Sequence, residues 1–224
     1  MIILDTFEKE IDTKRVLSQL PGDSADIYED DAEDLLDEIR EADAMHPAAA
    51  YTELQLTAAG KDQIEVNGVT MTSSVFQEYC KAGDSVYPCL VTVGTKLDQY
   101  AAALDDPMLS YLQGIVMNLC LDDALVEIAH QIAEKHPGKR LMMVKPGVDG
   151  VCEFSEQSAI VSWLGDAVSS LGVTVSERGF LTPGYSSTAL LFVTDGPSNY
   201  CKDWQDETER AQFLAELNRI AGHI

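Results

Sequence analysis

Three carboxylates crowd the stretch "LCLDDALVEIAHQ": Asp122, Asp123 and Glu127. Asp123 and Glu127 are four residues apart, so a helix here stacks them on one face. Such a pair can hold a cationic ligand, although it is more often an ordinary solvated helix face. A second candidate is "VKPGVDGVCEFSEQ", residues 144–157. An apolar, strand-like run meets a Pro-Gly pair, and "SEQSAIVSWL" then opens an amphipathic helix. Strand, tight turn and helix commonly build a ligand cradle, although this one carries little polar equipment. A third, "PGYSST" at 183–188, sets hydroxyls after a turn, but with no histidine nearby in sequence it reads as the start of a strand.

Other chemistry is poorly provided for. There is no G-x-S-x-G elbow, no Walker A loop and no G-x-G-x-x-G, so no catalytic residue is assigned. The five cysteines, Cys80, Cys89, Cys120, Cys152 and Cys201, are odd in number, widely spaced and without a C-x-x-C. That is neither a disulfide framework nor zinc spacing. Cys120 lies in the apolar run "YLQGIVMNLCL" and reads as core. The four histidines form no metal motif, so no metal is expected.

The elements that must position these groups follow from periodicity. Residues 29–44 carry a helical stripe of Ala32, Leu35, Leu36, Ile39 and Ala42. "IEVNGVTM" and "SVYPCLVTVG" are strand-like and punctuated by Asn-Gly, Gly-Asp and a Pro, with the helical "SSVFQEYCKAG" between them. The longest element follows Asp106, a plausible N-cap, with Pro107 at the first helical position. Met108, Leu112, Ile115, Val116, Leu119, Leu125, Ile128 and Ile132 then recur at helical spacing up to His136-Pro137-Gly138, and Gly114 is a candidate kink. After the strand "KRLMMVK", one helix is expected to bury Ile160, Trp163, Leu164, Ala167, Val168 and Leu171 and to stop at Gly172. "VTVSE" and "SSTALLFVT" follow as strands, and a last helix carries Phe213, Leu214, Leu217 and Ile220. Strands arrive in clusters rather than in βαβ alternation, which predicts an α+β domain with a largely antiparallel sheet.

Composition bounds the partners. The 224 residues are 46% apolar and 24% charged, ordinary for a globular chain, and no apolar run approaches a membrane span. "MIILDTFEKEIDTKR" turns acidic too early for a signal peptide, so a cytoplasmic location is expected. The net charge of −23 repels phosphate backbones and anionic membrane surfaces. Residues 23–43 alone hold eleven Asp or Glu against one Arg. This run is either a solvated helix face or a docking surface for a basic partner or cationic ligand.

Four motifs, in order between about residues 60 and 200, resemble the activation domain of vitamin B12-dependent methionine synthase and its free-standing small relatives. "VYPCLVTVG" is similar to that family's strand ending in a T-x-G turn. "DDPMLSYLQGIVMNLCLDDALVEIAHQIAEK" resembles its long central helix with an A-E-A or V-E-A element. "KPGVDGVCEFSEQSAIVSWL" resembles R-x-x-P-G-Y followed by a helix opening S-E-Q, and "GVTVSERGFLTPGYSSTALLFVTDGPSNY" resembles the closing segment. The resemblance implies a crescent-shaped α+β fold with a twisted, largely antiparallel sheet and one long central helix. It divides the chain into an acidic helical region, 1–55, and an activation-domain-like core, 56–224, within one continuous domain.

The resemblance also implies a function. In that family the domain binds S-adenosylmethionine along a shallow surface and presents the methyl donor to oxidised cobalamin on a neighbouring module. A reductase or flavodoxin supplies an electron. Carried over residue by residue, the ligand-binding positions are Glu127, Pro146, Gly147 and Tyr200, all present. The motif's arginine position is Met143 and its tyrosine position is Val148, which are departures. Lys145 is two residues from Met143 and, on a strand, shares its side; it can supply a point charge without an arginine's planar fork. The chain is thus expected to be an accessory to cobalamin-dependent methyl transfer rather than a self-contained enzyme. It would bind S-adenosylmethionine and serve a separate corrinoid protein that holds the cobalamin. Its acidity disfavours an acidic flavodoxin as electron donor. The alternative is an interaction or scaffold protein that kept the fold and lost the ligand.

Overall fold

The computed structural model describes residues 1–5, 10–21, 25–137, 139–147 and 150–194. Tyr200, Val148, Cys201 and the helix expected around Phe213–Ile220 lie outside them. The N-terminal part comprises β1 (Ile2–Leu4), α1 (Thr13–Leu17), α2 (Glu29–Glu41), β2 (Ala48–Tyr51) and β3 (Leu54–Gln55). The middle comprises β4 (Ala58–Ala59), β5 (Gln63–Val66), β6 (Val69–Thr72), α3 (Phe76–Tyr79), β7 (Ser85–Thr92), α4 (Thr95–Ala102) and α5 (Pro107–Lys135). Then come β8 (Arg140–Val144), α6 (Gln157–Leu164), α7 (Asp166–Ser170), β9 (Thr174–Val175), β10 (Leu181–Thr182) and β11 (Ser186–Thr194).

The main sheet runs β1-β2-β7-β11-β8, with β3 also on β7, and every pairing is antiparallel. This is an α+β architecture with one long helix. Both faces of the sheet are buried, which is why β7 and β11 read as nearly unbroken apolar runs. Alternation along the pleat sorts their side chains. Tyr51, Tyr87, Cys89, Val91, Met143, Ala189 and Leu191 face one cluster with α1, α2 and α5. Ala50, Val86, Leu90, Met142, Val144, Leu190 and Phe192 face the other, with α3, α6, α7 and the small sheet β4-β5-β6. Each fully buried large apolar side chain contributes about 1.5–3 kcal/mol.

Pro88, in the middle of β7, explains a break in the sheet. The registers Tyr51–Cys89 and Leu54–Val86 belong to one continuous ladder, and Pro88 falls opposite Thr52 between them. The Thr52 N–H donates to the Pro88 carbonyl at 3.3 Å, but proline has no N–H to return the bond. The ladder therefore lapses there, dividing β2 from β3.

Several local expectations hold. Asp106 caps α5, its carboxylate accepting from the N–H groups of Met108 (2.7 Å) and Leu109 (3.1 Å). The helix runs 29 residues, about 43 Å, uninterrupted through Gly114. Asn67 and Gly68, at φ of 51° and 83°, form the tight turn between β5 and β6. Gly94, which ends the T-x-G turn, has φ 83°, and a Cβ there would lie 2.8 Å from the His46 carbonyl oxygen.

Others are corrected. The 1–55 segment is not only helical; it supplies β1, β2 and β3 to the main sheet. The helix expected to run through Leu171 is two helices, because the chain turns at Gly165 (φ 54°). Ile160, Leu164, Ala167 and Val168 are buried, while Trp163 and Leu171 are half-buried. Ala42, expected on the apolar stripe of α2, is exposed at the helix end. Among the described residues, no helix is long and apolar enough to cross a membrane.

Candidate functional site

The cradle sits where β8 leaves the sheet. Val144 pairs with Leu190, and the next three residues form the Lys145-Pro146-Gly147 turn. Met143, 6% exposed, belongs to the cluster on the α5 side, so the pleat carries Lys145 to that side too. Its ammonium reaches α5, 3.3 Å from Asp122 Oδ1. Pro146 is buried. Gly147 has φ 77°, donates its N–H to the Cys152 carbonyl at 2.9 Å, and lies so close to Phe154 that a Cβ would meet it at 3.1 Å. Only glycine combines that backbone with that approach.

The polar groups following the turn serve the fold. Glu156 accepts from the Thr72 N–H at 2.9 Å, tying the start of α6 to the end of β6. Gln157, 6% exposed, accepts from the Thr188 hydroxyl at 3.1 Å and donates to the Gly179 carbonyl. Two of the "PGYSST" hydroxyls, those of Ser186 and Thr188, are likewise structural. Ser186 donates to the Thr92 hydroxyl at 2.9 Å, and Ser186 opens β11, as the strand-start reading has it.

The three carboxylates of α5 meet different fates. Asp123, 10% exposed, takes a bidentate grip from Arg15 of α1, at 2.8 and 2.9 Å. That hydrogen bonding holds the guanidinium's proton affinity above its ordinary value, outweighing the opposing effect of burial. Glu127, half-buried, accepts from Gln131 Nε2 at 2.9 Å, and Gln131 accepts in turn from the Tyr51 hydroxyl at 3.0 Å. The Lys135 ammonium lies 5.2 Å above the Tyr51 ring. Asp122 is 60% exposed and meets Lys145. Residues 122 and 127 are about 140° apart around the helix. The Asp122–Lys145 pair and the Glu127–Gln131–Tyr51 chain thus occupy different flanks of α5.

The sheet registers give the same separation. Tyr51, Cys89 and Ala189 are consecutive partners in one row, and Lys145 follows the Val144–Leu190 pair at the row's far end. Three strand spacings make about 14 Å, and Asp122 to Gln131 along the helix is also about 14 Å. The structure therefore groups Lys145, Pro146 and Gly147, and sets Glu127 apart from them on α5. Tyr200 lies outside the described residues.

A cavity of about 430 Å³ opens beside Asp122, lined also by Tyr111, Asn118, Ser110, Gln19 and Tyr185. Gly114 makes room for it; a Cβ there would lie 3.3 Å from the Tyr185 hydroxyl. Sequence reasoning missed this pocket. Tyr185 drew notice only through the hydroxyls beside it, and Tyr111 reads as one more residue of a mixed helix. The cysteines behave as core: burial pushes the thiols of Cys80, Cys89 and Cys120 up to about 12.

No protein-family model and no curated protein matches the sequence. Among solved structures, the chain is similar to the crystal structure of the MetH reactivation domain bound to AdoHcy, with a TM-score of 0.62 and 15% identity. The alignment covers 99% of this chain and 90% of that one. The fold of this protein is that of the MetH reactivation domain.

Proposed function

We propose that the protein is a reactivation-domain-like module that binds S-adenosylmethionine and supports reductive reactivation of a separate corrinoid protein. The supporting observation is the fold: over 99% of its length the chain follows a domain solved with AdoHcy, the demethylated form of that ligand. The retained Pro146-Gly147 turn, closed by the Gly147–Cys152 bond, agrees with it. The methyl group would leave the sulfonium, whose sulfur becomes a neutral thioether. Cobalt held by the partner would accept the methyl group, and an electron donor distinct from an acidic flavodoxin would supply the electron. This chain's share is to hold and orient the methyl donor. The candidate binding residues are Glu127, Lys145, Pro146, Gly147 and Tyr200.

A second reading has its own support. Met143 is packed in the core where the resembled motif has an arginine, and Asp123 is already occupied by Arg15. A scaffold that kept the fold and lost the ligand would use the acidic outer face of α2 instead. Calorimetric titration with S-adenosylmethionine, alongside Glu127→Ala, separates the two. Saturable binding by the wild type is expected, and the Glu127 variant reports whether that carboxylate takes part; no heat at millimolar ligand would overturn the ligand reading and leave the scaffold.

A further inference from the structure

We infer that Asp122 and Lys145 form a clamp for an α-amino-acid zwitterion, with the pocket beside them taking the aromatic end of the same ligand. The inference rests on the ligand reading above and reassigns the group that grips the ammonium. Of the carboxylates on this stretch of α5, Asp123 is closed by a bidentate guanidinium, and Glu127 is engaged by Gln131 and faces another flank. Asp122 is the exposed one, and it opens onto the cavity.

The pair is built to be entered. At 3.3 Å, with Asp122 60% exposed, its contact is longer than the ~2.7–2.9 Å of a tight charge-assisted bond and costs little to open. An amino-acid zwitterion carries both complementary charges on one carbon. Its carboxylate can take the Lys145 ammonium while its ammonium takes the Asp122 carboxylate, so the contact between the two side chains is exchanged for one from each to the ligand.

The rest of the ligand follows from the helix. Tyr111, Ile115, Asn118 and Asp122, spaced four, three and four residues apart, form one stripe and all line the cavity. The stripe extends about 16 Å, with the clamp at one end and the half-exposed Tyr111 at the other. Tyr111 and Tyr185 offer flat apolar faces, and the Asn118 amide and Ser110 hydroxyl offer hydrogen bonds. The volume of about 430 Å³ falls within the ~300–1,000 Å³ range of small-molecule sites. A zwitterion at one end and a planar, hydrogen-bonding ring at the other describes an S-adenosyl amino acid. The ring faces would also favour a sulfonium over a neutral thioether.

The test compares AdoHcy with 5′-methylthioadenosine, which keeps the adenosyl thioether and lacks the amino acid. Both are titrated calorimetrically into the wild type, Asp122→Asn, Lys145→Met and Glu127→Ala, with a circular dichroism melt confirming each fold. Asp122→Asn and Lys145→Met are expected to weaken AdoHcy at least tenfold and to leave methylthioadenosine within twofold. Equal weakening of both ligands would mean a merely structural pair and would overturn the clamp. If Glu127→Ala alone abolishes AdoHcy binding, the ligand reading stands and the clamp falls. A wild type that binds neither ligand removes both.

Discussion

Asp122 and Asp123 are adjacent in sequence, yet the two flanks of α5 put them to opposite uses. On one flank α1 and β2 close over the helix. Arg15 spends both guanidinium nitrogens on Asp123, and Glu127, Gln131 and Tyr51 satisfy one another in a chain. On the other flank a single lysine reaches Asp122 over 3.3 Å, at the mouth of a cavity that nothing in the described chain fills. A carboxylate with its hydrogen bonds already met contributes stability, whereas one held loosely at a cavity is available to a ligand. Asp122 and Asp123 are the same side chain one residue apart; cover makes the difference.

Unequal substitution costs would confirm that contrast. Arg15→Ala strips the partner from a carboxylate only 10% exposed and should cost about 2–3 kcal/mol, read as a lower denaturation midpoint at unchanged slope. Asp122→Asn removes the charge from a carboxylate 60% exposed and should change stability by less than about 0.5 kcal/mol. Similar costs for the two variants would break the comparison. The smallest effect belongs to Asp43, 72% exposed, which Lys96 (2.9 Å) and His46 (3.1 Å) hold by hydrogen bonds that lower its carboxyl below the ordinary 3.8. Because the folded value is depressed, its contribution is present above 3.8 and is lost as pH falls through that value and below it. Asp43→Asn, which tolerates the positive φ of 47°, should lower Tm slightly at pH 7 and match the wild type near pH 2. A gap persisting at the acid end would rule out the charge as its cause.

Where local chemistry was strong, the fold was legible. The Asp106-Pro107 start of α5, the Asn67-Gly68 turn and the stripe Ala32, Leu35, Leu36 and Ile39 each carry a signal within a few residues, and each appears. β2 carries almost none: "AAAY" has poor strand propensity and becomes a strand because β1 and β7 pair with it. The break at Gly165 was hidden because apolar spacing continues across it into α7. In the candidate site, the parity of Met143 and Lys145 followed from the pleat alone. The partner of Lys145 did not, since it sits 23 residues away on another element.

The sequence by itself determined the class of the fold, the long helix, the glycine-dependent turn at 146–147 and an acidity that sets terms for any partner. Those properties depend on composition, period and single-residue conformational limits, which the chain carries wherever it is placed. Only the tertiary structure decided which carboxylate on α5 is buried under Arg15, which is shared with Gln131 and which faces the cavity. That choice depends on what α1, β2 and the end of β8 bring against the helix from more than twenty residues away. The electrostatic worth of a charge is set by its surroundings, and the packed fold is what supplies them.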